Sequence, residues 1–187
     1  MKSVALALTL IGCSLPMCEA CQESIAPEKH LDFWVGEWKV VDTTPNAKNP
    51  PGTNSIKKIY GGKVVHENFK MGAFEGQSWS VFNPRLKVWQ QTWVDNSGGY
   101  LDMTSLKAGN NLAIQTIKKE KAPMSANRMV FSGVKPNSFT WRWEATTDGG
   151  KTWKLSWQLQ YTRNKPAADL SKAILKATVF QQRHSWY

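Results

Sequence analysis

Two carboxylates, Glu67 and Asp95, fall in strand-like runs from which they could converge inside a barrel as an acid/base pair. The competing role for either is a buried, hydrogen-bonded structural group. Asp95 closes the run Trp89-Gln90-Gln91-Thr92-Trp93-Val94-Asp95, in which alternation puts Trp89, Gln91, Trp93 and Asp95 on one face. Flat apolar walls with an amide and a carboxylate are what a small-molecule site requires. The candidate ligand-binding residues are therefore Glu67, Trp89, Gln91, Trp93 and Asp95, and the candidate ligand is a small apolar or aromatic molecule. The same face also suits a filled core, in which Gln91 and Asp95 satisfy indole N–H groups and neighbouring backbone.

Other chemistry is poorly served. His30, His66 and His184 stand far apart in sequence and form no metal-spaced pair, so no metal site is expected. No catalytic motif accompanies the ten tryptophans, and no catalytic residue or cofactor is assigned. The 24 basic against 14 acidic residues give a formal charge of +10. These basic residues are scattered as singles and pairs, densest at Lys57-Lys58, Lys118-Lys119 and Lys121, with no stripe to track phosphates. Nucleic acid is not an expected partner; a solvated basic surface, at most attracted to anionic membrane, is.

All three cysteines, Cys13, Cys18 and Cys21, lie in the first 21 residues, so the body of the chain can hold no disulfide framework. Lys2 followed by Val4-Ala5-Leu6-Ala7-Leu8-Thr9-Leu10-Ile11 has the charge and the short apolar core of a secretory signal, and is too short to span a bilayer. Export to the periplasm or outer membrane is expected. Two cuts are open: Leu10-Ile11-Gly12-Cys13 resembles a bacterial lipoprotein box that would leave lipidated Cys13 as a membrane anchor, and Cys18-Glu19-Ala20 would suit signal peptidase cleavage after Ala20. In the first case Cys18 and Cys21 remain as a pair able to form a loop disulfide.

Positioning these residues requires strands. The runs 54–60, 63–71, 77–83, 87–95, 99–106, 110–118, 127–133, 137–144 and 152–162, with a first strand from Glu37, make about ten, separated by turn residues such as Gly61-Gly62 and Asp148-Gly149-Gly150. Sequential hairpins without a crossover helix predict an all-β, single antiparallel up-and-down barrel. Faces through Phe139, Trp141 and Trp143, and through Trp153, Leu155, Trp157, Leu159 and Tyr161, read as core. The expected domains are a leader and spacer over residues 1–20, a barrel over 27–163 and a helical tail over 164–187, where Leu170, Ile174 and Ala177 share one helical side.

Four ordered blocks sharpen this: His30-Leu31-Asp32-Phe33-Trp34-Val35-Gly36-Glu37-Trp38; Gly61-Gly62 with His66-Glu67; Trp89 to Asn96; and Asp148-Gly149-Gly150-Lys151-Thr152-Trp153. Together they resemble the bacterial domain-of-unknown-function family DUF1579, a calycin-like group, over about His30 to Arg163. The resemblance implies a lipocalin-like barrel in which Trp38 plugs the closed end; it implies no activity. Nitrobindin-type barrels bind haem through histidine, yet no matching motif surrounds His66, which reads as an ordinary strand residue. Thr146 to Trp153 also fits the Asp-box of sialidase propellers, and a single copy predicts a stiff hairpin turn and no propeller. The leading function is non-enzymatic ligand binding. A barrel enzyme using Glu67 or Asp95, and a structural or protein-interaction module at the outer membrane, are the alternatives; oligomeric state is undetermined by sequence.

Overall fold

Strand after strand alternates inward apolar and outward polar side chains, and a sheet that must hide one face can do so by closing on itself. A computed structural model describes residues 25–108, 111–116 and 125–164 of the chain. The strands are β1 (Gly36–Asp42), β2 (Gly52–Ile59), β3 (Val64–Met71), β4 (Phe74–Asn83), β5 (Val88–Asp95), β6 (Tyr100–Ala108), β7 (Asn111–Thr116), β8 (Ala126–Lys135), β9 (Ser138–Thr146) and β10 (Lys154–Arg163). They form one closed antiparallel barrel in which each strand pairs with its sequence neighbours and β1 pairs with β10. Closure leaves no free edge to recruit another strand. The alternatives for the leader at Cys13, Cys18, Ala20 and Cys21, the lysines at 118, 119 and 121, His184 and the expected C-terminal helix lie outside the described residues.

The expected barrel of about ten up-and-down strands is the observed fold, and two local differences have physical reasons. Pairing of β3 with β4 starts at Met71 opposite Phe74, because Gly72-Ala73 turns the chain at once; β4 therefore begins before the expected 77. In β10 the pairing with β9 shifts between Leu155 and Trp157. That bulge adds a residue to one strand, so inward and outward positions exchange across it. Leu155 is consequently 42% exposed, while Leu159 and Tyr161 are buried inside and Trp157 packs on the core.

One end of the barrel is closed by the segment before β1, where the short 3-10 turns Pro27–Lys29 and Asp32–Trp34 lay Leu31 and Trp34 across the opening. Trp38 is wholly buried there and donates its indole N–H to the Trp34 carbonyl at 2.8 Å. The Arg163 guanidinium stacks on its ring at 4.1 Å and donates to the carbonyls of Val35, Phe33 and Pro136. Gly36 makes this stack possible: it has φ of 145°, and a Cβ there would collide with Arg163 Nη1. Phe131, Phe139 and Tyr161 fill the remainder, with the Phe139 and Tyr161 rings stacked at 4.4 Å. The Gly-x-Trp element thus ties together both chain ends of the barrel.

On the far side of the wall, Asp148 accepts from the backbone N–H of Lys151 and Thr152 and from the hydroxyls of Thr146 and Thr152, and Trp153 donates to the Gly150 carbonyl. This is the stiff turn its sequence predicts, and those donors hold the Asp148 carboxyl well below the usual range. Arg128 lies over the Trp153 ring at 4.0 Å and pairs with Glu144 at 2.7 Å. Trp153 therefore belongs to this turn and not to the core face expected for it.

Candidate functional site

Above the plugged end, the barrel is not filled. A cavity of about 320 Å³ runs toward the opposite end, where Phe74, Asp95 and Trp157 are only partly buried. Its walls are aromatic: Trp93 and Phe74 lie nearly parallel at 6.3 Å, Trp141 and Trp143 stack at 6.1 Å, and Trp157 meets Trp141 edge-on at 5.7 Å. Leu101, Met103, Met129 and Leu159 complete the apolar lining. Gly76 is required here, because a side chain on it would run into the Trp93 indole.

The indoles are held by their polar edges. Trp93 donates to Asp95 Oδ2 at 2.9 Å, Trp157 to Asp42 Oδ2 at 2.8 Å, and Trp141 to Met129 Sδ at 3.3 Å. With the N–H groups engaged, the ring faces and edges are fixed as walls, which lowers the ordering cost of binding.

Deeper in the barrel sits a connected polar group. Glu67 on β3 is directly opposite Ser78 on β4, and Ser78 is opposite Trp93 on β5. Ser78 donates its hydroxyl to Glu67 Oε2 at 2.6 Å, and Asn54 on β2 donates to Glu67 Oε1 at 2.7 Å. Asn54 also donates to the Tyr161 hydroxyl oxygen at 3.1 Å, and Gln91 Nε2 donates to Ser78 Oγ at 2.8 Å. Burial pushes the Glu67 carboxyl up to about 7, against the lowering effect of the Ser78 and Asn54 hydrogen bonds. Burial, reinforced by the nearby Glu67 charge, pushes the Tyr161 hydroxyl well above its usual value.

Asp95 is a different kind of acid. It sits at the rim and accepts from Trp93 Nε1, from the Ser97 hydroxyl at 2.5 Å, and from the backbone N–H of Ser97 and Gly99. The Ser97 and Trp93 bonds lead the causes that hold its carboxyl at about 2. Among the described residues no hydrogen bond joins it to Glu67. Asp95 therefore fixes a turn and a tryptophan and is not poised to exchange protons at neutral pH.

Of the five residues singled out by sequence, Glu67, Gln91, Trp93 and Asp95 line the cavity and Trp89 does not. Trp89 sits toward the plugged end, packed on Phe82 at 5.7 Å, and donates to the Pro27 carbonyl at 2.9 Å. It is on the expected inward face, but several residues below the opening. Trp141, Trp143 and Trp157, which read as core, pack against the core and also form cavity wall. His66 points out of the barrel, stacked on Trp79 at 5.2 Å with its ring nitrogen 3.1 Å from Gln77 Oε1. It cannot reach a group held inside.

No protein-family model matches this chain, and no curated protein does either. The site must speak through its own geometry.

Asn54, Ser78 and Tyr161 were missed as site residues. The only sequence signal for them is inward parity in their strands, shared with many purely structural positions.

Proposed function

We propose that this chain is an exported, calycin-like envelope protein that binds a small apolar or aromatic molecule inside its barrel without transforming it. The observation that carries the reading is the cavity of about 320 Å³, of ligand-pocket size, with four tryptophans in its walls and a few fixed polar groups at depth. A structural module would have no use for an unfilled barrel, since empty volume weakens packing. The alternative, a barrel enzyme with Glu67 or Asp95 as acid/base, would have to work without Asp95, which is consumed by its turn. Export rests on the apolar leader, and attachment through Cys13 on the Leu-Ile-Gly-Cys sequence. The calycin assignment rests on the four sequence blocks and on Trp38 plugging the barrel.

Two measurements test the binding reading. Native mass spectrometry of protein purified from its own envelope should show a co-purifying small molecule. The neutral dye N-phenylnaphthylamine should brighten on binding the wild type, and Leu101→Trp, which fills the cavity, should remove that signal while the fold is retained. Equal dye binding by both proteins would place the dye outside the barrel and sink the proposal.

A further inference from the structure

Resting on that reading of the cavity as a ligand site, we infer that its ligand is a cation: a protonated amine carried on an aromatic or apolar body, with the ammonium directed at Glu67 and Gln91. Three observations lead there.

The first is charge. The chain carries 24 basic and 14 acidic residues. Yet the residues lining the cavity include two carboxylates, Glu67 and Asp95, and no lysine, arginine or histidine. In a protein of formal charge +10 this lining runs against the composition. The groups around Glu67 are Asn54 from β2, Ser78 from β4, Gln91 from β5 and Tyr161 from β10, none of which is cationic. A buried carboxylate ordinarily has a cationic partner, and among the described residues Glu67 has none.

The second is a pair of unpartnered acceptors. Asn54 Oδ1 and Gln91 Oε1 are buried without a hydrogen-bond partner, and Gln91, only 1% exposed, lines the cavity. With Glu67 ionised, their orientations are dictated by the network. Turning the Asn54 amide over would set its oxygen against the Glu67 carboxylate. Turning Gln91 over would set its oxygen against Ser78 Oγ, whose hydrogen is committed to Glu67. Beside the Asn127 amide and the Tyr161 hydroxyl, the cavity therefore offers a carboxylate and an unpartnered amide oxygen. An alkylammonium brings three donors and a positive charge and satisfies both at once.

The third is the wall. Trp93, Trp141, Trp143 and Trp157 surround the space with indole surfaces, and their N–H edges at Trp93, Trp141 and Trp157 are turned to other partners. An aromatic enclosure of this type attracts cations through the ring quadrupole and is indifferent or unfavourable to anions.

The test uses three indole probes of different charge that displace N-phenylnaphthylamine from the wild-type protein: tryptamine (cationic), ethylindole (neutral) and indolepropionate (anionic). Tryptamine should compete at about tenfold lower concentration than ethylindole, and indolepropionate should be weakest, although the protein's overall positive charge favours the opposite order. Glu67→Gln should bring tryptamine to within about twofold of ethylindole, the larger change falling on tryptamine. Should that variant fail to fold, the wild-type probe order and Gln91→Leu, which should weaken tryptamine more than ethylindole, decide the matter. Ethylindole or indolepropionate competing as well as tryptamine, or Glu67→Gln retaining the preference, would overturn the cation inference and leave the binding reading standing. A dye signal that survives Leu101→Trp would overturn both.

Discussion

Glu67→Gln should change how the protein's stability depends on pH, in a window set by one buried group. The wild-type carboxyl moves from an ordinary 4.5 to about 7 because burial disfavours its charge. Below the unfolded value both states hold the proton and Glu67 imposes no charge penalty. As pH rises from 4.5 toward 7 the unfolded chain releases its proton while the folded one keeps it, so folding loses stability across that interval and the loss levels off above it. At about 1.4 kcal/mol per pH unit the loss amounts to about 3 kcal/mol. Glutamine does not titrate. It adds only a nearly constant offset of about 1 kcal/mol from rearranged hydrogen bonds to Asn54 and Ser78. The depressed carboxyls of Asp42, Asp95 and Asp148 act in a separate window, contributing stability above the ordinary 3.8 that is lost as pH falls. Urea unfolding of both proteins, followed by tryptophan fluorescence at closely spaced pH values, isolates the Glu67 contribution as the difference between the two curves. Wild type should lose ground to Glu67→Gln steadily from mildly acidic to neutral pH. A difference that stays flat, or that moves in favour of wild type as pH rises, would refute the reasoning, the latter by showing that Glu67 has a cationic partner in the folded protein.

Three further outcomes are expected. Trp38→Ala should lower stability by about 3–5 kcal/mol, because the ring is wholly buried between Phe139, Tyr161 and the Arg163 guanidinium; a near-neutral shift in thermal midpoint would show a loosely packed plug. Gly36→Ala should cost about 2 kcal/mol through its positive φ and the expulsion of Arg163 from the Trp38 face, and in an Arg163→Ala background it should cost less; full additivity in the double-mutant cycle would place the effect in the backbone alone. Gln91→Leu should cost no more than about 1 kcal/mol, since it removes one donor to Ser78 together with an already unpartnered oxygen, and it should alter dye binding; a loss of several kcal/mol with unchanged dye affinity would make Gln91 a core residue.

The barrel was legible because period-two alternation and turn residues are local signals, and because a meander of hairpins leaves few topologies to choose among. The Asp148 turn was legible for the same reason, its partners lying within a few residues, whereas Gly36 and Trp38 were legible only through the resemblance of their block to the start of calycin-like barrels. The division of inward tryptophans into core and cavity wall was not. Trp89 and Trp93 share a strand face and four residues of sequence, yet one abuts the N-terminal plug and the other borders open space. What separates them is height along the barrel axis relative to the plug, a property of the closed object that no strand carries alone. The bulge before Trp157 hid the same distinction on β10, since it exchanges faces with no glycine or proline to announce it.

The polar group at depth was legible in only two of its members, Glu67 and Gln91, and its form explains why. Glu67 could be picked out as an acid at an inward position, but a carboxylate's meaning depends on what answers its charge. Here the answering donors, Asn54 and Ser78, come from β2 and β4, and neither is charged. A sequence that meant to bury an acid for stability alone would more economically place an arginine across the barrel, or replace the whole cluster with hydrocarbon of the same volume. A carboxylate, two buried amides and unpartnered acceptors beside an open aromatic space form a set that the proposed ammonium ligand would complete. On the cation reading that ligand enters past Asp95 and Trp157, which are only partly buried. Its effect on the folded protein should then be to lower the carboxyl's pKa, so that the acid-to-neutral loss of stability expected of the unliganded barrel disappears when the site is filled.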